Sequence, residues 1–332
     1  MDKVVMLERS VAPLHEGRGA PRIEDAVRNE LTAIRSEFDS GNVLDGMRIL
    51  SSALNRFRAA AGAADWPALA GDAVLKHDIS EVIWTCPLTS RSFSKPRGYA
   101  GDAELLDHIY GLGAANLAPH PATLGGRIYF YTVNTPACQA VRRRREIIAA
   151  EIDRCAARTG AGRANLLSIA CGHLREALLS HALNERAIAR FVAVDQDEDS
   201  LSEIARCYAD LGVETMKGSV RNIIGRKLVF ADMDLVYAAG LFDYLIEPVA
   251  MRLIERMFSF LRPGGRLLIA NFTPVVPDIG YMETFMDWKL IFRTGEELRA
   301  LFKPLAEREN LLVDIFEDEA GVIAYAAVEK RS

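Results

Sequence analysis

From residue 23 to residue 63 apolar side chains return every three or four positions: Ala26, Leu31, Ile34 and Phe38, then Leu44, Met47, Ile49 and Leu54, with Ser40-Gly41-Asn42 between the sets. That spacing places side chains on one helix face, and a glycine-asparagine pair interrupts a helix, so the pattern predicts a helical hairpin. Further helices are expected around Asp78 to Trp84 and from Ala103 to Tyr110, the second opened by Gly101-Asp102 and closed by Gly111. After Arg163 the texture changes. The runs NLLSIA, FVAVD, DLVYAAG and RLLIANF are continuously apolar, which is how parallel strands covered on both faces read. They alternate with amphipathic stretches, so a doubly wound α/β sheet is expected. LLVDIFED and GVIAYAAVEK, parted by a short acidic turn, predict an antiparallel hairpin closing it. The chain thus divides into a flexible segment at 1–20, a helical lid or substrate domain at 21–140 and an α/β domain at 141–332.

Composition narrows the function classes. Half of the 332 residues are hydrophobic and 26% are charged, an ordinary globular balance. A net charge of -5 gives no general attraction for a polyanion, so nucleic acid is not an expected partner. The five cysteines, Cys86, Cys138, Cys155, Cys171 and Cys207, are scattered and lack the paired spacing of a zinc site or redox motif. No metal is expected, and a reduced cytoplasmic setting is. No apolar run reaches the roughly 18 residues of a membrane span, and residues 1–20 lack the apolar core of a signal peptide. The basic run Arg142 to Arg145 opens an amphipathic helix and reads mainly as a solvated face.

In an open α/β sheet a ligand lies beyond the carboxyl ends of the strands. Here the first predicted strand ends in SIACGHLREALL and the second in AVDQD, which sets Asp195 about 20 residues after Gly172, the interval of a ribose-binding acid. The loop does not fit a dinucleotide fingerprint. Only Gly172 of the three glycines is present, followed by His173, Leu174 and Arg175, so a pyrophosphate would be poorly cradled. The pattern instead resembles the first motif of the class I S-adenosylmethionine-dependent methyltransferases, whose cofactor carries no phosphate. Asp195, DLVYAAGLFDYL at the fourth strand, LRPGGRLLIANF into the fifth and the closing hairpin share the resemblance. Two positions depart from it: Ala170 stands where the class usually has its first glycine, and Ser168 where an acid often precedes it.

The resemblance implies a Rossmann-like class I methyltransferase domain, with a mostly parallel seven-stranded sheet and a C-terminal antiparallel hairpin, behind a helical N-terminal lid. It implies S-adenosyl-L-methionine as cofactor and S-adenosyl-L-homocysteine as product. Cofactor contacts are expected from Arg145, Ala170, Cys171, Gly172, Glu176, Asp195 and Gln196, from Ser219 and Val220 beside the adenine, and from Ala239, Gly240 and Tyr244.

A finer resemblance rests on KPRGYAGDAELLDHIYG, YAAGLFDYL and YMETFMDWKLIFRT, which look like the bacterial methyltransferases that make 3-hydroxypalmitic acid methyl ester, a quorum-sensing signal (the PhcB-like subfamily). Within the first of these, SKPRGYAGD reads as a lid: Pro96 stiffens it, Gly98 and Gly101 free its backbone, and Lys95, Arg97, Tyr99 and Asp102 supply polar tips. Tyr99 and Asp102 are expected near the cofactor's amino-acid end and Arg97 toward substrate, with Asp243 a fourth catalytic candidate. For both aspartates the alternative is a helix cap. Tyr131, Tyr281, Met282 and Trp288 are expected to wall the substrate pocket. A carboxylate acceptor needs only orientation, from Arg97 or Lys95. A phenol or ammonium needs a base, for which Asp102, Asp243, Asp287 and His173 are candidates. The expected function is methylation of a small molecule, first a (hydroxy) fatty or other carboxylic acid, second an O- or N-methylated secondary metabolite, third cofactor binding without turnover. A homodimer through the helical region is also expected.

Overall fold

The structure is a computed structural model that describes residues 23–112 and 118–331. The segment expected to be flexible, 1–20, lies outside the described residues. Ahead of the first strand come helices α1 (Ile23–Asp39), α2 (Val43–Leu69), α3 (Ile79–Ile83), α4 (Pro87–Ser94), α5 (Ala103–Tyr110), α6 (Leu124–Thr132) and α7 (Pro136–Thr159). The chain then alternates: β1 (Ala164–Ile169), α8 (His181–Asn184), β2 (Ile188–Asp195), α9 (Glu198–Tyr208), β3 (Val213–Lys217), α10 (Val220–Ile224), β4 (Met233–Ala238), α11 (Glu247–Ser259) and β5 (Leu261–Phe272). It closes with α12 (Ile279–Phe285), α13 (Gly295–Ala300), α14 (Lys303–Glu309), β6 (Asp314–Glu317) and β7 (Ile323–Glu329).

These strands form one seven-stranded sheet in the order β3-β2-β1-β4-β5-β7-β6. Strands β1 to β5 run parallel, and β7 lies antiparallel between β5 and β6. The Rossmann-like sheet with its antiparallel hairpin is therefore present. Continuous burial explains the strand sequences: every residue of β4 is buried, because helices cover both faces. Alternate side chains feed two cores. Leu166, Leu235 and Leu268 join the core shared with the N-terminal helices, while Leu167, Val236 and Leu267 join the core under α11 and α13.

The helical hairpin is present as α1 and α2, but its buried stripes sit in a different phase. Val27, Leu31, Ile34 and Phe38 face inward on α1, and Ala26 faces solvent. On α2 the inward stripe is Val43, Met47, Leu50 and Leu54, whereas Leu44 and Ile49 are exposed. Apolar residues occupy both 43–44 and 49–50, so periodicity alone fits two phases, and packing against α1 and α12 decides between them. The boundary expected at 140 falls inside α7. Among the described residues no helix is long and apolar enough to cross a membrane.

Candidate active site

Because β1 is flanked by β2 on one side and β4 on the other, the connections leave it in opposite directions and open a crevice at its carboxyl end. A cavity of about 830 Å3 lies there. Its floor comes from the loops after β1, β2, β3 and β4, its roof from residues 97–110, and one wall from Arg144, Arg145 and Ile148 of α7.

The loop after β1 turns tightly by placing Ala170, Gly172 and Leu174 at φ of 53°, 52° and 51°. Left-handed backbone costs a residue with a Cβ roughly 1–2 kcal/mol, yet Ala170 holds the conformation a glycine would adopt freely. At Gly172 a second constraint applies: a Cβ there would sit 3.2 Å from the Ala103 Cβ at the start of α5. This close turn delivers the Gly172 N–H to Asp195. The Asp195 carboxylate, 6% exposed at the end of β2, accepts from Gly172 N at 2.8 Å and from Asp197 N at 3.0 Å. Burial raises its pKa, and the backbone donors work against that rise. Each carboxylate oxygen keeps a further lone pair, so this acid can accept from two neighbouring hydroxyls.

The segment SKPRGYAGD crosses above. Lys95 ends α4 in left-handed backbone at φ 48° and pairs with Asp287. Gly98 has a positive φ of 88°, but Gly101 does not; a Cβ at Gly101 would come within 2.6 Å of the Trp288 ring and 2.7 Å of the Tyr244 hydroxyl. Gly101 is thus required for close approach, where backbone freedom was expected. Arg97 lines the cavity yet its guanidinium is engaged: Nη1 donates to Asp197 at 2.9 Å, Ser200 at 3.2 Å and His173 Nε2 at 3.2 Å. It latches the roof to the end of β2 and does not offer a free charge to a substrate. Tyr99 also lines the cavity, where burial and the charges of Asp195 and Asp197 push its phenol pKa upward.

A second tie explains the residues that break the dinucleotide pattern. His173 Nδ1 lies 2.8 Å from Asp107 Oδ2 on α5, and Arg175 donates to the same carboxylate at 2.7 and 2.6 Å and to Glu203 at 2.7 Å. Asp107 can only accept when ionised, so Nδ1 carries the proton and Nε2 accepts from Arg97. His173 and Arg175 therefore hold the roof helix onto the β1 loop, a contact that left no mark in the local sequence pattern.

Of the residues singled out from the sequence, Arg97, Tyr99, Arg145, Ala170, Cys171, Gly172, Glu176, Asp195, Gln196, Ser219, Val220, Ala239, Gly240 and Tyr244 line this cavity. Asp102 does not. It is 1% exposed, caps α5 by accepting from Leu105 N at 2.7 Å, and is held by Arg91 at 2.8 and 3.0 Å. Asp243 lies behind the wall, where its Oδ1 accepts from Phe272 N at 2.7 Å and burial raises its pKa to about 6. Trp288 stands behind Tyr244, donating to its hydroxyl at 2.7 Å. Tyr281, bonded to Thr89 at 2.8 Å, and Met282 are buried in the core shared with the helical region, and Tyr131 packs against that core. An amphipathic aromatic run reads alike whether it faces a pocket or a core. Arg144, Tyr110, Ser168 and Leu241 line the cavity without having been singled out for it.

The cavity lining carries both signs. Half-buried Glu176 accepts from the Tyr237 hydroxyl at 2.7 Å, with its pKa raised by burial, and the Arg145 guanidinium stacks over the Tyr110 ring at 4.7 Å.

No family model and no curated protein matches the chain. Among solved structures it is similar to a possible exported protein from Bordetella parapertussis, with a TM-score of 0.55 and 17% identity over 70% of this chain and 80% of that one. It is also similar to magnesium protoporphyrin IX methyltransferase from Synechocystis PCC 6803 with bound SAH, with a TM-score of 0.48 and 12% identity over 73% of this chain and 100% of that one. An N-methyltransferase from Bradyrhizobium japonicum WM9 aligns with a TM-score of 0.42 and 13% identity over 57% of this chain and 97% of that one. The first of these likenesses shows a shared fold.

Proposed function

We propose that this chain is an S-adenosyl-L-methionine-dependent methyltransferase whose acceptor is a small carboxylic acid, with fatty and hydroxy fatty acids as the leading class. The observation that carries the reading is Asp195, a buried carboxylate fixed by two amides at the end of β2, with accepting capacity left for a ribose diol at the edge of the crevice. A phosphate-bearing dinucleotide fits poorly. The β1 loop leads into a single 3-10 turn, Arg175–Leu178, and not into a helix whose N-terminus could face a pyrophosphate. A ligand combining a ribose, an amino acid and no phosphate fits better, since Glu176 and Arg145 complement an ammonium and a carboxylate.

In this reading Asp195 holds the ribose hydroxyls, Gln196, Ser219 and Val220 border the adenine, and Glu176 and Arg145 hold the amino-acid end. The backbone of Ala170, Cys171 and Gly172 lies under the ligand, and Ala239 and Gly240 supply the floor near the reacting atoms. Tyr99 and Tyr244 narrow the roof side and exclude water. When bound, the cofactor supplies an electrophilic methyl group: an acceptor oxygen's lone pair forms the O–C bond while the C–S bond breaks with its electrons passing to sulfur, leaving S-adenosyl-L-homocysteine and a methyl ester with no proton moved. A carboxylate is ionised at neutral pH, so positioning carries the catalysis. That requirement accords with a site in which Asp102 and Asp243 are committed to structural partners.

Calorimetric titration with S-adenosyl-L-methionine and S-adenosyl-L-homocysteine tests the reading. Both should bind the wild-type protein, and Asp195→Ala should weaken both at least tenfold, about 1.4 kcal/mol. A well-folded wild-type protein that binds neither would overturn it.

A further inference from the structure

Arg144 is a buried cation that faces the cavity and has no carboxylate partner. It is 5% exposed and lines the cavity. Among the described residues no carboxylate oxygen lies within 4.0 Å of its guanidinium or of Arg145. Its neighbours in the basic run are accounted for otherwise. Arg142 donates to the carbonyls of Ile109 and Val133 at 2.9 and 2.7 Å, and Arg143 pairs at the surface with Glu146 and Glu319 at 2.8 and 2.7 Å. The cavity's other cations are placed too: Arg97 is bound to Asp197, Arg175 to Asp107 and Glu203, and Arg221 is exposed at the rim. Lys95, once a candidate, is paired with Asp287. Its side-chain hydrogen bond is to the Tyr110 hydroxyl, a neutral group, and a buried charge with no counter-charge in contact is costly to keep unless a ligand supplies one.

Its location says which ligand. The Arg144 guanidinium lies against Gly240, where a Cβ would be 3.4 Å from both terminal nitrogens. That is the carboxyl end of β4, two strand spacings or roughly 10 Å across the sheet from Asp195 on β2. Asp243, a buried acid whose charge acts on Arg144, directs Oδ1 to the Phe272 N–H. A cofactor with one ammonium and one carboxylate is already balanced by Glu176 and Arg145, and its sulfonium adds a further positive charge. With the Asp195 carboxylate of the same cavity set against the sulfonium, Arg144 is the cation left with no carboxylate in contact, and an anionic second ligand would supply one. Leu106, Ile148, Leu241 and Leu245 in the same cavity provide apolar walls for such a ligand's body.

We infer that Arg144 anchors the carboxylate of the methyl acceptor and sets the enzyme's preference for acids over amines; this rests on the methyltransferase reading above. One carboxylate oxygen stays on the guanidinium while the other faces the methyl group. The ester formed is neutral, so the same residue that captures the substrate releases its hold on the product.

The test is calorimetry on the full chain saturated with S-adenosyl-L-homocysteine, titrated with dodecanoate, dodecylamine and dodecanol. Dodecanoate should bind the wild type at least tenfold more tightly than the amine or the alcohol. Arg144→Gln should weaken dodecanoate at least tenfold while S-adenosyl-L-homocysteine affinity stays within twofold, and Arg144→Lys should restore part of the loss. If Arg144→Gln weakens S-adenosyl-L-homocysteine tenfold, the residue belongs to the cofactor's site and the inference falls. Unchanged dodecanoate binding in that variant overturns it as well. Should Arg144→Gln not fold, the wild type decides alone, since equal affinity for dodecanoate and dodecanol, or no binding of either, is incompatible with a carboxylate anchor. Failure of S-adenosyl-L-homocysteine itself to bind the wild type would remove the parent reading instead, so the two failures are distinguishable.

Discussion

Burial lifts the Asp243 carboxyl to about 6 against the opposing pull of the Phe272 N–H, Arg144 and Arg293. In the unfolded chain the same group ionises near 3.9, so between roughly pH 4 and pH 6 the folded protein binds more protons than the unfolded one. Stability from this residue is therefore full at low pH and declines as pH rises through that window. Asp243→Asn keeps an oxygen for the Phe272 N–H and abolishes the titration. Its melting temperature relative to wild type should rise between about pH 4.5 and pH 8, by the equivalent of at most about 3 kcal/mol; a constant difference across that range would refute the assignment. The same residue shows what one-dimensional reading resolves. Asp195 was legible because a strand end and its distance from Gly172 fix where the carboxylate points. Asp102 and Asp243 were not, because an acid beside a helix start reads identically whether it faces a ligand or satisfies an amide. Arg144 was hidden among four consecutive arginines, whose helical phase depends on what α7 packs against.

At the scale of elements, the roof is held to the sheet by two ties, Arg97 to Asp197 and Asp107 to His173 and Arg175. The second is the more costly to break, because its partners are buried: Asp107, His173 and Arg175 are 2%, 6% and 6% exposed. Asp107→Ala leaves Arg175 with Glu203 as its remaining carboxylate and strips His173 of its acceptor. Removing one member of a buried ion pair typically costs about 3–5 kcal/mol, and here Glu203 offsets part of it. The variant should melt several degrees lower and be cleaved faster by protease near α5. Arg97→Met should do much less to the melting temperature, since the Arg97–Asp197 pair is partly solvated. Equal effects of the two variants on the melting temperature would contradict the ranking. Element type was legible where a period was unambiguous, as in α1, and the helix start at Asp102 was legible from its cap. The phase of α2 was not, since its apolar residues fit two faces until α1 and α12 select one.

On the scale of the whole molecule, the division at residue 140 meets a structure whose parts share their interior. One core runs from Val27 and Leu54 in the first helices through Ile148 on α7 to Leu166, Leu235 and Tyr325 in the sheet. Helix α12, from the C-terminal half, lies against α2, with Gly280 so close that a Cβ would be 2.7 Å from the Leu54 carbonyl carbon. The cavity itself takes its roof from residues before 140 and its floor from residues after. Strand existence was legible because buried parallel strands are continuously apolar, but alternation of strands and helices is the same for every doubly wound order. The order came with the family resemblance, and the α12 contact could not be read at all, since an aromatic helix announces burial without naming its partner. The second core, beneath α11 and α13, is separated from the first only by the sheet that both require. Without the residues before 141 the sheet keeps the core under α11 and α13 but loses the first helices from the core on its other face, so heat should unfold the chain in one transition whose calorimetric and van't Hoff enthalpies agree. Two resolved transitions, or a folded and monomeric fragment beginning near residue 141, would show instead that the helical region is a separable lid, and the cavity would then be assembled by docking two independent units.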